Sequence, residues 1–198
     1  MKEVRWILAS GSPRRRELLE RIGVEFEVRV SGVEERTGAV LPEEVVLELS
    51  ELKAEDVAQE APEGTLILGA DTVVAIDGKI MGKPGNHQEA CEMIRRLQGR
   101  THQVFTGVTM IYKEGKGRRG VSFVEKTEVS VFPMSEEEIR EYGESEEPMD
   151  KAGAYGIQGR FARYVSGIHG DYSNVVGLPV GRVYQEWKGL MEREEQDD

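Results

Sequence analysis

Cysteine is nearly absent from this 198-residue chain. Cys91 stands alone, which excludes an intrachain disulfide and any metal site built from several thiolates. It falls in a helical pattern, where a free cysteine reads as a buried structural thiol rather than a nucleophile. No apolar run approaches the length needed to span a bilayer. The stretch Trp6-Ile7-Leu8-Ala9 is too short for a secretory leader and is soon followed by Arg14-Arg15-Arg16. A reducing cytoplasm, with no membrane partner, is the expectation. An excess of positive charge is missing too: 26 Lys and Arg against 37 Asp and Glu leave a formal charge of -11, which argues against a broad footprint for nucleic acid. A small anionic ligand is still allowed, because a few local cations can hold phosphates at any net charge. Asparagine occurs only as Asn86 and Asn174, a composition that leans towards a thermophilic source. The acidic end from Glu192 to Asp198 reads as a solvated tail.

Familiar phosphate and hydrolase motifs are absent as well. There is no G-x-x-x-x-G-K-[ST] loop and no G-x-S-x-G elbow. His102 and His169 lack partners at zinc-ligand spacing, and His87 reads as a surface residue at a helix start.

What is present alternates between strand and helix signals. Val4 to Ala9 reads as a buried strand, followed by a turn at Ser10-Gly11-Ser12, and Ser12-Pro13 as an N-cap with proline at the first helical position. Leu18, Leu19 and Ile22 form that helix's apolar stripe, and Glu25 to Val30 a second strand. Pro42 opens a long helix to about Gln59. Thr65-Leu66-Ile67-Leu68 is a short strand delivering Gly69-Ala70-Asp71-Thr72, and Asp77-Gly78 signals a hairpin. Asn86 caps another helix, β-type runs follow around 102–112 and 122–132, and Ser135 with Glu138 makes a capping box. The segment 150–182 is glycine-rich and irregular, and Pro179 precedes a last helix. Trp6 and Trp187 fall in a strand and a helix, with core packing as their default role. This order predicts one α/β domain over 1–198 with a mixed sheet.

Several segments could carry chemistry. Ser10-Gly11-Ser12-Pro13-Arg14-Arg15 places arginines in a helix's first turn, the wrong sign for the helix dipole, so either an anion offsets the penalty or the arginines are simply solvated. Asp71, at the end of an apolar strand, is either a rigidly placed carboxylate or a turn-initiating residue. Lys53, Lys83 and Lys151 each read alone as surface lysines, and Glu35 alone as a solvated carboxylate. The run from Asp150 to Gly159 looks like backbone shaped around a ligand, with an irregular surface loop as the alternative.

Taken together in this order and spacing, Leu8 to Arg15, Lys53-Ala54, Gly69 to Val74, Gly82-Lys83-Pro84, Thr101 to Val108, Asp150 to Gly159, Gly170-Asp171-Tyr172 and Asn174 to Pro179 resemble the Maf family of nucleotide pyrophosphatases. The resemblance covers nearly the whole chain. It implies an elongated α/β fold similar to inosine triphosphatase, with two lobes around a nucleotide cleft, a homodimer, and a divalent cation, normally magnesium. By resemblance Asp71 matches the catalytic base, and Arg15, Thr72 and Gln158 match specificity positions. Ser10, Arg14, Glu35, Lys53 and Lys83 match positions lining the nucleotide cleft, and Glu35 and Asp71 are the carboxylates that can serve water and metal. The Asp71-Thr72-Val73 and Ile157-Gln158-Gly159 forms are similar to the dTTP/UTP branch. The implied reaction is hydrolysis of a pyrimidine nucleoside triphosphate at the α-phosphorus, giving monophosphate and pyrophosphate. The same chemistry on a modified or purine nucleotide, and a nucleotide-binding regulator of cell division, are the competing readings.

Overall fold

The computed structural model describes residues 4–115 and 117–192. The expected solvated tail falls largely on 193–198, outside the described residues. In chain order the elements are β1 (Arg5–Leu8), α1 (Pro13–Arg21), β2 (Phe26–Val28), α2 (Pro42–Glu60), β3 (Thr65–Ile76), β4 (Lys79–Met81), α3 (His87–Leu97), β5 (Thr101–Glu114), β6 (Gly117–Val131), α4 (Glu136–Gly143), β7 (Val165–His169), α5 (Tyr172–Val176) and α6 (Val180–Glu192). The strands form a seven-stranded sheet in the order β2-β1-β3-β5-β6-β7, with β4 paired to β3. β1 is parallel to β2 and β3, while the β3–β4 and β6–β7 pairs are antiparallel. The expected mixed-sheet α/β class therefore holds.

The chain divides into two compact units. The first comprises Met1–Asp71, Thr106–Glu125 and Gly177–Asp198. Its core joins Ile7 and Ala9 to Ile67, Ile111 and one face of α2, from Ala54 through Ala58. Two glycines let α2 lie unusually close to the sheet. A Cβ on Gly69 would fall 2.4 Å from the Ser50 carbonyl oxygen, and one on Gly107 would fall 2.1 Å from that of Val46. A glycine inside a strand commonly marks such an approach. Trp6 is buried and meets Trp187 edge-on at 5.4 Å, as core packing requires.

The second unit comprises Thr72–Phe105 and Lys126–Val176. Its β3–β4 hairpin turns on Asp77 and Gly78, both at positive φ, the conformation a two-residue hairpin loop demands. Asn86 caps α3 by accepting from the Glu89 N–H, and Ser135 with Glu138 forms the full capping box of α4. Helices α3 and α4 pack so tightly that a Cβ on Gly143 would lie 2.4 Å from the Cys91 sulfur.

Four expectations need correction. Asp71 is not at a strand end, because Gly69 and Ala70 do not break the strand and β3 runs on to Ile76. Cys91 is half-buried rather than buried, since its helix presents it at the margin of the α3–α4 contact. Ser12 is the N-cap residue of α1, but its hydroxyl makes no capping bond. The segment 150–182 is less irregular than it reads, holding β7, α5 and two 3₁₀ turns, at Ala152–Ala154 and Arg160–Tyr164. β7 is exposed along four of its five residues, so no alternation betrays it.

Candidate functional site

In the first unit, two clusters form where β1 ends and β3 continues. The Ala9 N–H donates to the Leu68 carbonyl at 2.8 Å, the last rung joining the two strands before β1 turns away. Beyond it, Ser10 is buried and its hydroxyl becomes a hub. The hydroxyl accepts from the Ser12 N–H at 3.3 Å and from Arg15 Nη1 at 3.0 Å. Arg15 is itself buried and donates from Nε to the Gly177 carbonyl at 2.9 Å. Burial lowers its pKa from the ordinary value, an effect partly opposed by the Asp71 charge, yet a guanidinium stays protonated at physiological pH. Arg15 is therefore held by neutral protein acceptors rather than simply solvated. Arg14, beside it in the first turn, is half-buried.

The second cluster centres on Lys53. A lysine in a charged helix reads as solvated, but this one is buried and its ammonium lies 2.6 Å from Asp71 Oδ1 and 3.1 Å from Glu35 Oε2. The glycine contact explains it: Gly69 draws α2 onto β3 at Ser50 and Ala54, and Lys53 lies between those two in sequence. Glu35 remains more than half exposed, on a loop, with its carboxylate turned to that ammonium. Among the described residues no group of three or more His, Cys, Asp or Glu is arranged to hold a metal ion. Asp71 and Glu35 are a pair of oxygen donors converging on one cation, a donor set that suits a hard ion keeping several waters.

In the second unit, Thr72 follows Asp71 on β3 and is half-buried, while Lys83 and Gln158 are exposed on loops. The loops of Lys83 and Gln158 are tied together, because the Gly153 N–H donates to the Gly82 carbonyl at 3.0 Å. Gly153 also sits against Val74, leaving no room for a side chain there. Tyr155, on the same loop, is buried and pairs its hydroxyl with His102 Nε2 at 2.7 Å. Burial draws His102 down to about 4. His87 opens α3 half-buried, with Nδ1 3.0 Å from the Gly143 carbonyl.

The structure thus joins Ser10 with Arg15, and Lys53 with Asp71 and Glu35, in one unit, and places Thr72, Lys83 and Gln158 in the other. Sequence reasoning missed the Gly177 carbonyl, the His102–Tyr155 pair and the role of Gly69. Of these, only the interior-strand glycine carried a readable signal.

Comparison with known proteins agrees over almost the full length. The dTTP/UTP pyrophosphatase of Lachnoclostridium phytofermentans is 51% identical over 183 residues, covering 92% of this chain and 93% of its own. That of Agathobacter rectalis is 52% identical over 197 residues, covering 93% and 96%. A HAM1 protein from Coxiella burnetii aligns in structure with a TM-score of 0.45 and 16% identity, over 65% of this chain and 73% of that one. The family described as Maf-like protein matches residues 5–190, and with half of all aligned positions shared with those relatives, this chain belongs to it.

Proposed function

We propose that this chain hydrolyses a pyrimidine nucleoside triphosphate, dTTP, UTP or a modified relative, at the α-phosphorus to the monophosphate and pyrophosphate. The observation that carries the reading is the 51–52% identity, over 92–93% of this chain, with relatives named for that reaction. The Lys53–Asp71–Glu35 cluster supplies matching chemistry. Lys53 engages Asp71 Oδ1 and fixes the carboxylate, and Oδ2 is the oxygen we assign to the proton of the attacking water. Arg14, Lys53, Lys83 and the amino end of α1 are assigned to the phosphates, where the cations and the positive end of the helix dipole neutralise a leaving pyrophosphate. Ser10 orients Arg15 by accepting from its Nη1.

Asp71 and Glu35 are the residues that would hold a magnesium ion. When bound, it would neutralise phosphate charge and acidify a water. Arg15, Thr72 and Gln158 are assigned to base choice. Arg15 only donates, so facing a pyrimidine O4 it would oppose cytosine's amino group, whereas the Gln158 amide can pair with either base by flipping. The working form we propose is a cytoplasmic homodimer. The cytoplasm suits a chain with one thiol, and no helix among the described residues is long and apolar enough to cross a membrane.

The test is chromatography of the products formed from UTP and dTTP with and without magnesium. Monophosphate and intact pyrophosphate are expected; a diphosphate with orthophosphate would refute the assignment.

A further inference from the structure

Gln158 occupies the tip of a four-residue turn, Gly156 to Gly159, closed by the Gly159 N–H donating to the Gly156 carbonyl at 3.1 Å. An exposed amide on so small a turn is useful for recognition only if the turn is held, and both of its ends lead to one carboxylate. At the far end, the Arg160 N–H donates to Glu147 Oε2 at 3.0 Å. At the near end, the Gly156 N–H donates to the Tyr142 hydroxyl at 3.4 Å, and that hydroxyl donates to Glu147 Oε1 at 3.0 Å. Tyr142 is fully buried against Phe161, their ring centroids 5.1 Å apart, so this relay is anchored in the core of the second unit. Gly159 completes the arrangement. A Cβ there would lie 2.2 Å from Glu147 Oε1, so only a glycine lets the carboxylate close on the turn. Lys151 adds a further tie by donating to the Glu147 main-chain carbonyl at 2.6 Å.

We propose that Glu147, through Tyr142 and the Arg160 N–H, is a positioning residue that presents the Gln158 amide to the nucleobase. This rests on the proposed pyrimidine triphosphatase reading and assigns a determinant of substrate choice outside the residues that meet substrate. Removing the carboxylate frees the far end of the turn and takes from the Tyr142 hydroxyl, at the near end, the acceptor that orients it. The Lys53–Asp71–Glu35 cluster is left untouched, so the loss belongs in base recognition rather than in the chemical step.

A double-mutant cycle with UTP tests it, using the unaltered chain, Gln158→Ala, Glu147→Ala and the pair, with thermal melting to confirm folding. Gln158→Ala is expected to lower kcat/KM by about 10-fold, the loss of one recognition hydrogen bond. Glu147→Ala should give a similar fall, carried by KM, and adding Gln158→Ala to it should cost no more than about twofold, since coupled residues are not additive. Glu147→Gln should restore most of the activity, because its amide can accept from the Arg160 N–H and donate to the Tyr142 oxygen. Gly159→Ala, which keeps Glu147 but displaces its carboxylate, should behave like Glu147→Ala. If Gln158→Ala costs its full 10-fold in the Glu147→Ala background, the positioning role is overturned and the role of Gln158 stands. If Gln158→Ala costs nothing in the unaltered chain, the assignment of Gln158 falls and this proposal with it. No pyrophosphate release from UTP by the unaltered chain would overturn the functional reading itself, and the positioning role along with it.

Discussion

Lys53 illustrates how much a site residue depends on its partners. Lysine is almost never fully buried unless paired, and this one is 9% exposed between two carboxylates. Removing either side of the Lys53–Asp71 pair has different consequences. Lys53→Ala leaves Asp71, its side chain 13% exposed, without the cation at 2.6 Å. Breaking a buried pair this way costs about 3 kcal/mol. Asp71→Asn leaves the ammonium with Glu35 still 3.1 Å away, so its thermal loss should be smaller. If Asp71 is the base, as proposed, its kinetic loss should be the larger, because an amide cannot accept the proton of water and removal of a general base costs about 10² to 10⁴ in rate. Melting curves and turnover on the same two proteins check this. Should Asp71→Asn be the less stable of the two and Lys53→Ala the less active, the roles are assigned the wrong way round.

At the scale of elements, what determines the site is the distance between α2 and β3. Gly69→Ala would place a methyl 2.4 Å from the Ser50 carbonyl and 2.8 Å from the Ala54 nitrogen, both backbone atoms that cannot rotate away. Overpacking costs about 1–3 kcal/mol, and the only relief is to lift α2. That displaces Lys53, so kcat should fall with stability. Gly107→Ala, which meets the helix a turn earlier at Val46, should destabilise similarly but spare more of the turnover. Equal kinetic losses from both would mean that Gly69 has no special link to Lys53. The same elements show what a sequence discloses. The Asn86 cap, the Ser135–Glu138 box and the Asp77-Gly78 hairpin are local, three or four residues long, and each is found where its chemistry predicts. The burial of Lys53, the Gly177 carbonyl beneath Arg15 and the Tyr155–His102 pair join residues 18 to 162 positions apart, and no local pattern encodes them. Asp71 falls between these cases. It was legible as a carboxylate delivered by an apolar strand, but the strand continues past it, its end at Val74–Ile76 pairing with β4.

For the whole molecule, acid stability turns on one residue of the second unit. His102 is fully buried, its Nε2 meets the Tyr155 hydroxyl, and its Nδ1 has no hydrogen-bond partner among the described residues. Burial alone draws its pKa from 6.5 down to about 4. As pH falls, the unfolded chain therefore takes up a proton that the folded chain refuses. Stability should be complete above pH 6.5, decline between 6.5 and 4 by at most about 1.4 kcal/mol per unit, and be independent of this group below 4. Most carboxylates titrate only towards the bottom of that window, near about pH 4. Between pH 7 and 5 the histidine should thus account for a loss of about 2 kcal/mol. The net charge of -11 acts in the opposite sense, since self-repulsion eases as protons bind, so the two pH values must be compared at one high ionic strength. Urea unfolding at pH 7 and pH 5, for the unaltered chain and for His102→Gln, measures the difference. A glutamine can still bond the Tyr155 hydroxyl but cannot titrate, so the variant's absolute stability is free to change while its pH slope over this range should largely vanish. An unchanged slope would assign the acid sensitivity to another group and leave His102 as a packing residue behind the loop that carries Gln158.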